Sequence, residues 1–304
     1  MTLAFHDGPL YFPVTAFDDA GELDVDVTAE VLAAGLEHGP GGVFAACGTG
    51  EFHALSAEES LTVARSAVEV VAGRVPVLAG VGGPIGQVVS SVRALEEAGV
   101  DGVLLLPPYL VGSSQEGLAR YVGQVADASG LPVVVYHRGT ARFTAATVRT
   151  LVAEHPTIAG FKDGVGDVAL AQEIVLEARS VRDDLQFFNG LLTAEASQAA
   201  YRALGVPLYS SAVFAMAPAI ATAFYRAYTA GDQEACDRLL VGFFHPLVRL
   251  RDTTPGYAVS LIKAGLRLSG ADVGGVRPPL TDPSAEHLNR LAELLRAGEA
   301  LVAA

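Results

Sequence analysis

Eight short apolar runs punctuate the chain, at Tyr11–Ala16, Gly42–Cys47, Val75–Val81, Gly102–Pro107, Pro132–His137, Ile158–Asp163, Leu185–Gly190 and Leu208–Val213. Most stop at Gly, Pro or a polar cluster. Their apolar character is nearly continuous, as in strands buried on both faces of a parallel sheet. Between them lie Ala-, Glu- and Arg-rich segments of helical length, such as Ala57–Ala72, Ile85–Ala98, Gln115–Ser129 and Thr193–Leu204. Eight strand–helix units within residues 1–231 predict an α/β chain folded as a (β/α)8 TIM barrel, in preference to an open doubly wound sheet. Residues 232–304 predict a C-terminal helical extension packed on the barrel. No Gly/Ser-rich or charged linker sets them apart as an independent unit.

A barrel directs attention to the C-terminal ends of its strands, where catalytic groups gather. Run two ends in Cys47-Gly48-Thr49-Gly50-Glu51. Glycines flanking a threonine let backbone N–H groups turn toward a small anion, with a hydroxyl as a further donor. An ordinary capped turn has the same pattern. Run four ends in a stiff Pro107-Pro108-Tyr109 corner, which reads as structural. Run five ends in Tyr136-His137-Arg138. A tyrosine there can act as acid or base if a cation stabilises its phenolate. Arg138 can supply that charge, or fork onto a substrate carboxylate. Runs seven and eight end in Asn189-Gly190 and Tyr209-Ser210-Ser211, with Ser210 and Ser211 offering hydroxyls at the mouth; serines here can also simply cap a helix. A helix start is predicted at Thr193-Ala194-Glu195.

Charge changes the picture most through its composition. The 304 residues carry 34 acidic and 20 basic side chains, for a formal charge of −14. That balance opposes nucleic acid and anionic membrane surfaces as partners. At 51% hydrophobic and 18% charged, the chain can bury a core without disulfides or metal. Cys47 and Cys236 form no CxxC pair, and the dispersed histidines show no metal-ligand spacing. No basic segment followed by an apolar run opens the chain, and no apolar stretch reaches a membrane span, so a cytoplasmic protein is expected. Dinucleotide, Walker A, HExxH and GxSxG patterns are missing.

Of the basic residues, 18 are Arg and two are Lys, Lys162 and Lys263. Two-residue alternation puts Ile158, Gly160 and Lys162 on one face of run six and Phe161 on the other. If that face lines the barrel, Lys162 stands among apolar side chains at the mouth. Burial lowers the pKa of an amine and makes it a nucleophile toward carbonyls. The competing reading is a surface salt bridge with Asp163 or a nearby Glu. Lys263 lies in an amphipathic segment, Ala258–Leu268, and reads as structural.

The GTGE turn, the tyrosine ending run five and the GFKDG lysine together resemble the dihydrodipicolinate synthase / N-acetylneuraminate lyase superfamily. Within it, the segments FPVTAF, GTGEF, DGVLLLPPYL, GFKDGVGD, LYSSAVF, GYAVSLIKAG and VRPPLTD are similar to the 5-dehydro-4-deoxyglucarate dehydratase branch. The resemblance implies a Schiff-base lyase on a (β/α)8 barrel, with Lys162 as the imine-forming residue and Tyr136 as proton carrier. It implies loss of water and carbon dioxide from 5-dehydro-4-deoxy-D-glucarate to give 2,5-dioxopentanoate. Gly48, Thr49, Gly50, Arg138 and Gly190 are the candidate substrate-binding residues, and Ser210 and Ser211 the candidates assisting loss of the hydroxyl. No metal or organic cofactor is implied, and the assembly implied is a homotetramer or dimer of dimers. Two alternatives stand beside it: a 2-keto-3-deoxy sugar acid aldolase releasing pyruvate, and a non-catalytic sugar-acid-binding barrel. The chain departs from the branch at His137, Gly139 and Thr140 after strand five and at Asn189 and Leu192 after strand seven. Leu110 stands where dihydrodipicolinate synthases have a second tyrosine, which counts against that activity.

Overall fold

A computed structural model describes residues 3–109 and 111–303. Leu110 therefore lies outside the described residues. The eight strands close into a barrel in sequence order, every neighbouring pair parallel: β1 (Leu10–Tyr11), β2 (Gly42–Ala45), β3 (Val77–Val81), β4 (Gly102–Leu105), β5 (Val133–His137), β6 (Ile158–Asp163), β7 (Gln186–Asn189) and β8 (Leu208–Ser211). Closure comes from β1 against β8, Leu10 opposite Ser210 and Tyr11 opposite Ser211. The predicted barrel is present.

Around it run α1 (Val25–Leu36), α2 (Ala57–Val71), α3 (Ile85–Glu97), α4 (Gln115–Ala126), α5 (Ala145–Glu154), α6 (Val168–Arg179) and α7 (Gln198–Ala203). A short step, α8 (Val213–Met216), and the helix α9 (Pro218–Ala230) follow β8. The C-terminal helices are α10 (Gln233–Leu239), α11 (His245–Arg251), α12 (Tyr257–Leu268) and α13 (Ala285–Ala303), with a π-helical segment, Leu240–Phe244, joining the first two. Local chemistry starts these helices where the sequence has caps. Ser56 accepts from Glu59 N–H while the Glu59 carboxylate accepts from Ser56 N–H, a capping box on α2. Ser114, Thr144 and Asp167 cap α4, α5 and α6 in the same sense.

The strands divide their side chains between two apolar layers. Leu10, Phe12, Phe44, Leu78, Leu104, Val134, Tyr136 and Phe188 fill the barrel interior. Val43, Val103, Val135, Phe161 and Phe187 face the helices. Three expectations need correction. The first strand is Leu10–Tyr11, earlier and shorter than Tyr11–Ala16, because the chain turns off the sheet at Phe12 to approach the β2 loop. The alternation along β6 is interrupted. Its register with β5 shifts between Val133 and Val134, so Ile158 packs outward beside Phe161 and Ala159 takes the interior place. Gly160 and Lys162 resume the inward face beyond that irregularity. Finally, the helix expected from Thr193 begins as a 3-10 turn at Ala194–Ser197, with Thr193 itself at φ +52°.

Candidate active site

Across the interior layer, Tyr136 of β5, Lys162 of β6 and Phe188 of β7 lie directly opposite one another in register. The three side chains therefore project inward at one level, near the C-terminal ends of their strands. Above them opens a cavity of about 580 Å³. Lys162 is 4% exposed. Its Nζ lies 4.1 Å from the centroid of the Phe12 ring and 4.6 Å from that of Tyr136. It makes no ion pair among the described residues, and Asp163 points the other way. The Asp163 carboxylate accepts from the hydroxyl of Tyr201 and from the N–H groups of Val165 and Gly166, which ties down the loop after β6.

Burial without a counter-ion decides the state of the amine. Desolvation of the ammonium dominates and brings the Lys162 pKa down to about 7. The Arg138 charge lowers it further. At neutral pH a large share of Lys162 is thus a free amine.

Tyr136 bridges the site. Its hydroxyl donates to the carbonyl of Gly190 at 2.8 Å and accepts from Arg138 Nη1 at 2.9 Å. Arg138 is where the sequence placed a phenolate-stabilising cation. Burial nevertheless outweighs that cation and raises the Tyr136 pKa, so the resting form is the phenol. As a phenol it carries a proton to lend, and the Arg138 guanidinium stabilises the phenolate left behind. Gly190 permits this crowding. A Cβ there would come within 2.7 Å of Lys162 Cγ and Cε. Asn189, fully buried, holds the Gly190 loop through bonds to Ala194, Ser197, Gln198 and Leu191.

The other candidates separate. Gly48 and Thr49 line the cavity, and among the described residues their N–H groups have no hydrogen-bond acceptor. Gly50 does not line it; its carbonyl accepts from Thr15 Oγ1 at 2.8 Å. Ser210 lines the cavity, whereas Ser211 is fully buried outside the barrel wall, as strand alternation requires. Ser211 Oγ donates to Glu195 Oε1 at 2.5 Å and accepts from Phe214 N–H at 3.1 Å in the first turn of α8. Desolvation raises Glu195 to about 7. Ser211 therefore drops out as a donor to substrate.

Sequence reasoning missed several cavity residues: Phe12, His53, Thr140, Arg251, Tyr257 and Leu280. Arg251 of α11 donates to Leu192 O and Thr193 Oγ1, both at 2.8 Å, so it braces the β7 loop. Three of the missed residues lie in the segments FPVTAF, GYAVSLIKAG and VRPPLTD, which carried a resemblance without an assigned role. The helices after Asp232 thus roof the cavity as well as packing beside the barrel.

Residues 6–298 match the model of the dihydrodipicolinate synthetase family. The chain belongs to that family. A probable 5-dehydro-4-deoxyglucarate dehydratase 1 of Streptomyces coelicolor is 51% identical over 302 residues, covering 99% of this chain and 95% of that relative. A probable 5-dehydro-4-deoxyglucarate dehydratase of Streptomyces griseus subsp. griseus is 52% identical, covering 97% and 93%. Among solved structures, YagE of E. coli K12, a family protein in complex with pyruvate, superposes with a TM-score of 0.86 at 28% identity, covering 96% and 98%. A dihydrodipicolinate synthase from Bacillus clausii shares the fold at a TM-score of 0.88 and 24% identity, covering 96% and 98%.

Proposed function

We propose that this family member is a Schiff-base lyase that dehydrates and decarboxylates 5-dehydro-4-deoxy-D-glucarate to 2,5-dioxopentanoate, carbon dioxide and water. The observation that carries the reading is the unpaired, buried amine of Lys162 over the Tyr136 ring at the floor of the cavity. The names of the Streptomyces relatives and their identity over almost the whole chain support the substrate.

The steps follow from the geometry. The Lys162 amine attacks the 2-oxo carbon, and water leaves to form a protonated imine. The carboxylate next to it lies on the Gly48–Thr49 turn, held by the free N–H groups and the Thr49 hydroxyl. Tyr136 passes protons during imine formation and removes one from the adjacent methylene, the electron pair entering the imine to give an enamine. The enamine pushes out the β-hydroxyl as water, with Ser210 or a bound water donating the proton, and leaves a conjugated iminium. The bond to the distal carboxylate then breaks. Its electron pair runs into that conjugated sink as carbon dioxide departs, and Arg138 holds this carboxylate beforehand. Protonation at carbon and hydrolysis release the dioxo acid and regenerate Lys162. This chemistry calls on no metal or organic cofactor. The same reading makes the protein a cytoplasmic homo-oligomer, a tetramer or dimer of dimers.

The test is carbon dioxide release from 5-dehydro-4-deoxyglucarate, with borohydride reduction and mass mapping on the same protein. The reading expects turnover and a reduced adduct on Lys162, with both lost in Lys162→Ala. Pyruvate and an aldehyde in place of carbon dioxide would assign the aldolase reaction. No adduct, or one elsewhere, would remove the covalent step.

A further inference from the structure

The second lysine sits in a different environment, and it touches the first site through the chain. Lys263 and Glu51 are both fully buried, 212 residues apart in sequence, with Nζ 3.1 Å from Oε1. Nζ also donates to the carbonyl of Gly275 at 2.6 Å and lies 4.1 Å above the Phe17 ring. The other carboxylate oxygen of Glu51 accepts from the backbone N–H of Arg277 at 2.9 Å. The Arg277 guanidinium in turn grips the Glu59 carboxylate at 2.7 and 3.0 Å and the carbonyls of Gly21 and Ala54.

Three separate segments meet at this pair, and each of them also lines the cavity. Glu51 ends the turn that presents Gly48 and Thr49. Lys263 lies on α12, whose first turn contributes Tyr257. Gly275 and Arg277 lie on the strap leading to Leu280. The strap is fitted closely against the loop after β1: at Gly274, with φ +67°, a Cβ would overlap the carbonyl of Phe17. Glu51 itself holds a left-handed backbone, φ +57°, where a residue with a Cβ is strained. A buried ion pair is a poor device for stability alone, since well-packed apolar residues do as well or better. What it does supply is one fixed geometry.

We propose that the Glu51–Lys263 pair is a positioning device for the Gly48–Thr49 turn, setting the aim of its N–H groups and so the preference for a carboxylate beside the reacting carbonyl. The pair does not touch substrate. It acts by holding the end of the turn to α12 and the strap, while Thr15 holds the carbonyl of Gly50 from the opposite side. The inference rests on the proposed imine chemistry at Lys162, and adds the residues that make that site read an acid.

The experiment compares wild type with Glu51→Gln and with the uncharged double variant Glu51→Gln/Lys263→Met, all full length. Imine formation is trapped by borohydride with pyruvate and, separately, with its methyl ester. The preference for acid over ester should fall about tenfold in the double variant, the worth of a charge-assisted hydrogen bond. KM for 5-dehydro-4-deoxyglucarate should rise by a similar factor, while kcat and the pH of half-maximal imine formation stay at their wild-type values. A folded double variant with the wild-type acid-to-ester ratio overturns the proposal. If the double variant does not fold, Glu51→Gln decides by the same ratio. Failure of wild type to trap either probe would instead break the Schiff-base reading, a separate and distinguishable result.

Discussion

Lys162 and Lys263 are the only lysines in the chain, and both are buried, at 4% and 0% exposed. Desolvation acts on both in the same direction, lowering each pKa. Their surroundings then diverge. Around Lys263, the Glu51 carboxylate pulls the pKa back up and the carbonyl of Gly275 accepts a hydrogen bond from the ammonium. Around Lys162 the neighbours are two aromatic rings, and the like charge of Arg138 lowers its pKa further. Burial alone therefore does not make a nucleophile. A buried lysine with a partner remains a structural cation, and one without a partner gives up its proton.

The contrast predicts opposite outcomes for one substitution made at two sites. Lys162→Met should abolish turnover and the borohydride adduct altogether, yet leave the fold intact, because methionine suits the apolar surroundings. Lys263→Met should cost about 3–5 kcal/mol of stability, the usual penalty for stranding one member of a buried pair. Urea unfolding measures the second effect; if Lys263→Met unfolds at the wild-type midpoint, the pair has been misread. Next in size, Tyr136→Phe removes the group that serves Lys162 but has no counterpart at Lys263. It should lower kcat by about 10²–10⁴-fold, the range for a lost general acid–base, with a much smaller change in KM. Steady-state kinetics would expose a purely structural tyrosine as an unchanged kcat.

Much of the first lysine's environment was legible in the sequence. The apolar run Ile158–Asp163 coincides with β6, and a lysine near its end had to enter either the barrel or solvent. Even so, the supporting alternation was partly illusory, because the irregularity opposite Val133 sends Ile158 outward. Local periodicity carries no information about register slips between strands. Ser210 and Ser211 show the same limit: their sequence is symmetrical, and only the pairing of β8 with β1 says which one faces the interior. The second lysine was legible in role but not in partner. No spacing rule connects Lys263 to Glu51, since a contact over 212 residues exists only once the barrel closes and α12 returns across its mouth. For the same reason Arg251 and Tyr257 were invisible as cavity residues, although Tyr257 belongs to a recognisable segment.

The smallest effect tests the charge state of Lys162 most directly. Its pKa is about 7 in the folded protein and about 10.4 in an unfolded chain. Between those values the unfolded state binds more protons than the folded state, so stability contributed by this site rises with pH across that window. Below about pH 7 both states are protonated, and the cost of burying the ammonium is fully present. Lys162→Met lacks this cost. Its advantage over wild type should therefore be greatest at and below about pH 7, then shrink by at most about 1.4 kcal/mol for each pH unit above it. Taking the difference between the two proteins cancels the other titrating groups. The wild-type rate of imine formation should rise through the same pH, as the free amine appears. A stability difference that is flat from pH 6 to pH 9 would mean that Lys162 keeps its proton, and that the two lysines are more alike than their neighbours imply.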